Sequence, residues 1–135
     1  MGYGVGSPEI IALLHKVRPN YETNSIGVAL TERMLDFGAE MEASVRRLNV
    51  GRDFFLSEMQ LLGFKTLPAF ASFLHVNFGM HAEAIHFALA DKVLYRKDFG
   101  HSCLKGYSRF SSTTRELFSP LVDCIKSVVG REESI

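Results

Sequence analysis

At 135 residues and 47% hydrophobic content, the chain is long enough for one domain with a substantial core and too short for two ordinary ones. Lysine plus arginine balance aspartate plus glutamate at 15 each, so the net charge of zero offers no long-range attraction to nucleic acid or to an anionic membrane surface, and neither is an expected partner. Two cysteines, Cys103 and Cys124, are too few for a disulfide framework and lack metal-ligand spacing; with no run near the ~20 apolar residues of a membrane span, a cytoplasmic protein is expected.

In chain order, the stretch from Met1 to Gly6 is glycine-rich rather than basic then apolar, unlike a signal peptide, and reads as a short extended piece. Ser7-Pro8-Glu9 is a helix start, with Ser7 as N-cap and proline at the first helical position. That helix carries Ile10, Ile11, Leu13 and Leu14, and it ends before Arg18-Pro19 because the residue ahead of a proline is pushed out of the helical region. A loop from Asn20 to Thr23 leads to Asn24 or Ser25, either of which can cap a second helix holding Ile26, Leu30 and Met34, interrupted at Gly38. From Glu40 onward, Met41, Val45, Leu48, Phe55, Met59 and Leu62 recur at alternating four- and three-residue steps once Arg52 is counted. This predicts a helix of roughly 23 residues, about 34 Å long, closed by Gly63. Arg52 stands inside the apolar stripe, where a charge must be paired or reach solvent, and its expected role is structural.

The period then changes to that of strands. Phe64 to Leu67 and Ser72 to Phe78 are two candidates separated by Pro68; in the second, Phe73, His75 and Asn77 face one way and Leu74, Val76 and Phe78 the other. Met80 to Ala90 reads as a helix and Val93 to Arg96 as a strand, which makes Ser72 to Arg96 a candidate strand-helix-strand crossover. Lys97 to Gly106 is a loop, Tyr107 to Ser111 a last short strand, and Thr113 or Thr114 opens a final helix reaching Val129, with a bend or restart expected at Pro120. The expected architecture is a layered α+β domain in which helices cover a small mixed sheet.

Several phrases come in the order of a known family. Gly2-Tyr3, Arg46-Arg47 through Gly51-Arg52, Leu62-Gly63-Phe64-Lys65 with Pro68, Val93-Leu94-Tyr95-Arg96 and Tyr107-Ser108-Arg109-Phe110 are similar, in succession, to the C-terminal region of pyridoxal-phosphate-dependent aminotransferases of the histidinol-phosphate type. The resemblance covers Gly2 to about Val129. It implies the small domain of the aspartate-aminotransferase-like fold for residues 21–135, with residues 1–20 as a remnant of the large cofactor-binding domain. It implies pyridoxal 5'-phosphate as the cofactor of a full-length homodimeric enzyme that exchanges an amino group between an amino acid, or a histidinol-phosphate-like amine, and a 2-oxo acid. The family's catalytic lysine and phosphate-binding arginine lie just upstream of the Gly-Tyr pair, and none of Lys16, Lys65, Lys92, Lys97, Lys105 or Lys126 matches the lysine phrase. The chain alone is therefore expected to bind no cofactor and to be inactive for want of the Schiff-base lysine, with a missing N-terminal domain as its partner. Ser72 and Phe110 depart from the family pattern, where asparagine and a branched aliphatic residue are common.

Arg109 matches the arginine that grips the substrate carboxylate, a task suited to a planar guanidinium on a rigid strand; on residue type alone it would be a surface arginine near a sheet edge. Arg96 ends a strand beside a long loop and is a second substrate candidate against the simpler reading of a solvated arginine. Tyr21 and Asn24 lie in a loop that passes the active site in the resembling enzymes, although an N-cap role explains Asn24 as well, and Tyr3 is the cofactor-side candidate or a packing residue. His81 and His86 are spaced five apart and so form no metal pair, His75 is read as a hydrogen-bonded core or interface histidine, and no metal site is expected. Other readings are a related decarboxylase acting on an amino-acid phosphate ester, and a free-standing domain for binding or assembly.

Overall fold

A computed structural model describes residues 5–17, 24–97 and 99–132. It divides into two compact units, Met1–Ala43 and Ser44–Ile135. Tyr3, Tyr21 and the loop from Asn20 to Thr23 lie outside the described residues.

In the first unit, α1 runs Pro8–Val17 and α2 runs Ser25–Met34. The expected caps are in place. The Ser7 hydroxyl accepts from the Ile10 amide at 3.4 Å, and Asn24 Oδ1 accepts from the Gly27 amide at 2.6 Å. Neither helix contains a buried residue, and Ile10, Leu13, Leu14 and Val17 are all more than half exposed. The sequence gains a helix start where an interruption was expected: Gly38 opens α3, Gly38–Leu61, rather than merely breaking α2.

The Gly63 cap of α3 has a clear structural reason. With φ at +79°, Gly63 adopts the left-handed conformation, its amide donates to the Gln60 carbonyl at 2.9 Å, and the Phe64 amide donates to Met59 at 3.0 Å, which together close the helix end. The apolar stripe is buried only in its second half. Phe55 and Met59 are fully enclosed, whereas Met41 and Val45 are exposed. Arg52 is mostly covered and is paired with Asp53 at 2.9 Å and with Asn49 Oδ1 at 3.0 Å, the structural role expected for it.

The sheet has three strands in the order β1 (Lys65–Thr66), β2 (Phe73–Asn77) and β3 (Tyr107–Ser111), both pairs antiparallel. The α+β class is as expected, but the sheet among the described residues is antiparallel rather than mixed. The difference lies in Val93 to Arg96, which is not a strand and completes no crossover. Only Arg96 pairs, in an isolated antiparallel bridge to Arg109. Val93 and Tyr95 instead pack against the core, with the Tyr95 ring stacked on Phe110 at 4.7 Å, so their alternation serves side-chain packing rather than a ladder.

One sheet face carries Leu74, Val76, Ser108 and Phe110 into the interior. Three helices supply the other side of that core: Phe55 and Met59 from α3, Ile85 and Leu89 from α4 (Ala82–Leu89), and Phe118, Val122 and Ile125 from α5 (Arg115–Glu132). Helix α5 passes through Pro120 without the expected restart. Both Pro120 and Glu116, whose carbonyl loses an amide partner, are exposed, so water can serve the vacant acceptor. No helix among the described residues is long and apolar enough to cross a membrane.

Candidate functional site

The alternation of β2 and β3 sorts their side chains. Because the neighbours of Arg109, Ser108 and Phe110, enter the core, Arg109 projects from the opposite face, half-buried and not drawn into the interior. Its strand-order partner on β2 is His75, and Phe73 and Asn77 lie on the same side.

Arg96 is brought to the same place by backbone bonding. Its amide donates to the Arg109 carbonyl at 3.0 Å and accepts the reciprocal bond at its carbonyl at 2.7 Å. The two arginines share an aromatic support: the Arg96 guanidinium carbon is 4.9 Å from the centroid of Phe99, and that of Arg109 is 5.3 Å from Phe73 and 5.9 Å from Phe99. Each such contact contributes only about 0.5–1 kcal/mol when exposed. Its geometric effect is larger. Contact of the cation with an aromatic ring takes up none of the guanidinium's five N–H donors in a conventional hydrogen bond.

No carboxylate among the described residues pairs with Arg96 or Arg109, and neither side chain donates to a described acceptor. Two cations with no carboxylate partner among the described residues therefore stand together. Such an arrangement can receive an oxyanion through charge-assisted, two-point hydrogen bonds. Two clefts of about 370 and 310 Å³ are lined by other residues, the first by Leu62 to Lys65 and Asn77 to His81, the second by Val93, Leu94, Leu117 and Leu121 among others.

The hydrogen bond expected of His75 is not formed among the described residues. The residue is half-buried, and its ring instead meets Phe73 edge-on at 5.6 Å and Phe99 at 5.8 Å. Burial and, second, the positive charge of Arg109 hold His75 below the usual histidine range. Strand alternation alone placed Phe73 and His75 on one side, but Phe99 had no signal, since a loop residue's position depends on how the loop folds back. His86 finds a side-chain hydrogen bond, its Nε2 lying 3.0 Å from the Ser108 hydroxyl. Ser108 is 1% exposed, which makes this pair a satisfied core contact rather than a nucleophile and its base. Asn24 spends its side-chain oxygen on its N-cap bond. Among the described residues, no group of three histidine, cysteine or acidic side chains could hold a metal ion.

No family model matches the chain. Curated relatives do. A histidinol-phosphate aminotransferase of Syntrophus aciditrophicus is 27% identical over 131 residues, covering 93% of this chain and 36% of that protein. Histidinol-phosphate aminotransferase 2 of Gluconobacter oxydans is 27% identical over 137 residues, covering 96% and 38%. The chain is similar to the C-terminal part of histidinol-phosphate aminotransferases. It spans little more than a third of the length of these curated relatives. Histidinol-phosphate aminotransferase of Symbiobacterium thermophilum repeats the pattern at 26% identity, with 96% of this chain and 36% of the relative covered. A crystal structure from Erwinia carotovora atroseptica, described as a histidinol-phosphate aminotransferase, superposes with a TM-score of 0.75 at 21% identity, over 96% of this chain and 37% of that one. That similarity establishes the fold: the α+β arrangement recurs within a histidinol-phosphate aminotransferase-like structure.

Proposed function

We propose that this chain is the C-terminal part of a pyridoxal-phosphate-dependent aminotransferase, in which residues 1–20 continue a large cofactor-binding domain and residues 21–135 form the small domain. In this reading Arg109 binds the carboxylate or phosphate of the amine substrate and Arg96 is a second substrate-binding residue. Tyr21 and Asn24 remain further substrate-binding candidates and Tyr3 a cofactor-binding one. The enzyme is a cytoplasmic homodimer acting on a small amino acid or a histidinol-phosphate-like amine and a 2-oxo acid. The observation that carries this reading is the half-buried, aromatic-supported Arg109, free of any described carboxylate, at the position where the family resemblance places a substrate-gripping arginine.

Pyridoxal 5'-phosphate supplies an electron-withdrawing ring that stabilises negative charge at the substrate's α-carbon. The described residues do not fit it. A lysine that holds the cofactor needs a sheltered amine of lowered proton affinity, whereas all six lysines here are exposed, with Lys126 paired to Glu58 and Lys92 donating to the Ala88 carbonyl. In this reading the anchoring amine is supplied by another part of the enzyme. Mixing the chain with pyridoxal phosphate is expected to give only weak, non-saturating absorbance changes. A saturable one-to-one change would overturn this assignment.

The substrate role is tested in a full-length protein carrying this chain. Losing a bidentate charge-assisted contact, at about 1.5–3 kcal/mol per bond, should lower kcat/KM for the amine substrate about a hundredfold or more in Arg109→Ala. Unchanged kcat/KM would remove Arg109 from the substrate site.

A further inference from the structure

We propose that His75 is a protonatable partner of Arg109, one that makes anion binding at this face tighten as the pH falls and favours oxyanions of two charges over singly charged ones. The inference rests on the reading of Arg109 as an anion-binding arginine. His75 and Arg109 are directly opposed across the β2–β3 pair. Because the Arg109 amide and carbonyl are both bonded outward to Arg96, the His75–Arg109 position is a non-hydrogen-bonded one, where opposed side chains approach more closely. The imidazole also shares its two supporting rings, Phe73 and Phe99, with the Arg109 guanidinium. A histidine serving only the core would have its ring nitrogens satisfied. Here they are unpaired among the described residues and sit beside unpaired guanidinium donors.

The charged neighbours set the sign. Arg109 faces His75 from β3, Arg96 stands beyond it on the segment that bridges β3, and Lys65 lies further along the same side on β1, opposite Asn77. On β2 itself the flanking side chains, Phe73 and Asn77, are neutral, and Asp98 lies outside the described residues. Without an anion, burial and then Arg109 hold the imidazole below the usual histidine range. A dianion seated on the guanidinium edges reverses the local field, and the imidazole gains a proton as the anion binds. Binding linked to proton uptake strengthens as pH falls from the pKa of the anion-bound imidazole towards the lower pKa of the free one, and levels off below it. A singly charged anion cancels less of the cationic field and draws the proton less.

Sulfate is the test anion, being doubly charged across the range in which histidine titrates, with singly charged methanesulfonate as its comparison. Titrated into the 135-residue chain, sulfate should bind about tenfold more tightly near pH 5 than near pH 8, the equivalent of one pKa unit, and methanesulfonate should gain much less. His75→Gln should bind sulfate with nearly level affinity across that range, and Arg109→Ala should bind neither anion. In the unsubstituted chain, the NMR titration midpoint of the His75 ring should move upward on adding sulfate, a readout independent of any variant's folding. Arg109-dependent sulfate binding that ignores pH, or a pH dependence that survives in His75→Gln, would overturn the role of His75. Sulfate binding that does not depend on Arg109 would overturn the underlying assignment of Arg109 and this inference with it.

Discussion

Phe55→Ala should lower the stability of the chain by about 3–5 kcal/mol, the cost of emptying a large, fully buried aromatic site. The size follows from where Phe55 sits. Its ring lies 5.4 Å from Phe110 on β3 and 4.4 Å from Phe118 on α5, so one side chain of α3 joins the sheet to the last helix. A cavity there removes contacts on three elements, and helices and strand cannot all collapse inward to refill it. Equilibrium urea unfolding is the measurement. A loss below about 1 kcal/mol would mean that the core is more plastic than its enclosure implies.

Gly51→Ala tests a contact whose sign helix propensity alone would misjudge. An alanine in place of glycine within a helix usually stabilises by about 1 kcal/mol. At Gly51, however, a Cβ would lie 2.0 Å from the Thr113 carbonyl oxygen and 2.7 Å from the Thr114 carbonyl carbon. These are backbone atoms at the entry to α5 and have no rotamer through which to give way. The helix and the 113–115 segment must separate, and overpacking of this kind costs about 1–3 kcal/mol beyond the propensity gain. We expect a net destabilisation of about 2 kcal/mol. Gly130→Ala is the internal contrast: a Cβ there meets nothing within 4 Å, so the substitution should be neutral or stabilising by up to about 1 kcal/mol. Equal thermal midpoints for the two variants would refute the close packing of α3 on the start of α5.

Local chemistry was legible wherever an element's cause lies within a few residues. Ser7-Pro8, Asn24 and Gly63 mark helix ends because capping bonds span only three to five residues, and each appears at its expected place. Tyr107–Ser111 is a strand with the expected bounds, and the alternation from Phe73 to Asn77 assigned the two faces of β2 correctly. Arg109 became a candidate through the ordered resemblance, not through its own residue type. A lone arginine on a strand looks the same whether it meets solvent or substrate.

What depended on tertiary structure was every pairing between distant segments. Periodicity reports that a segment has two faces but not which neighbour each face meets. Val93 to Arg96 had strand-like alternation yet spent it on packing, and the half of the α3 stripe from Met41 to Val45 stayed exposed while Phe55 and Met59 were enclosed. The grouping of Arg96, Arg109, His75, Phe73 and Phe99 likewise needed the β2–β3 register and the placement of Phe99, since these residues come from three separate segments. The sequence by itself determined which residues could cap, alternate and carry charge, because those properties act over one or two turns of chain. Only the tertiary structure decided which cations stand together and which aromatic faces hold them, because that is set by long-range register and packing.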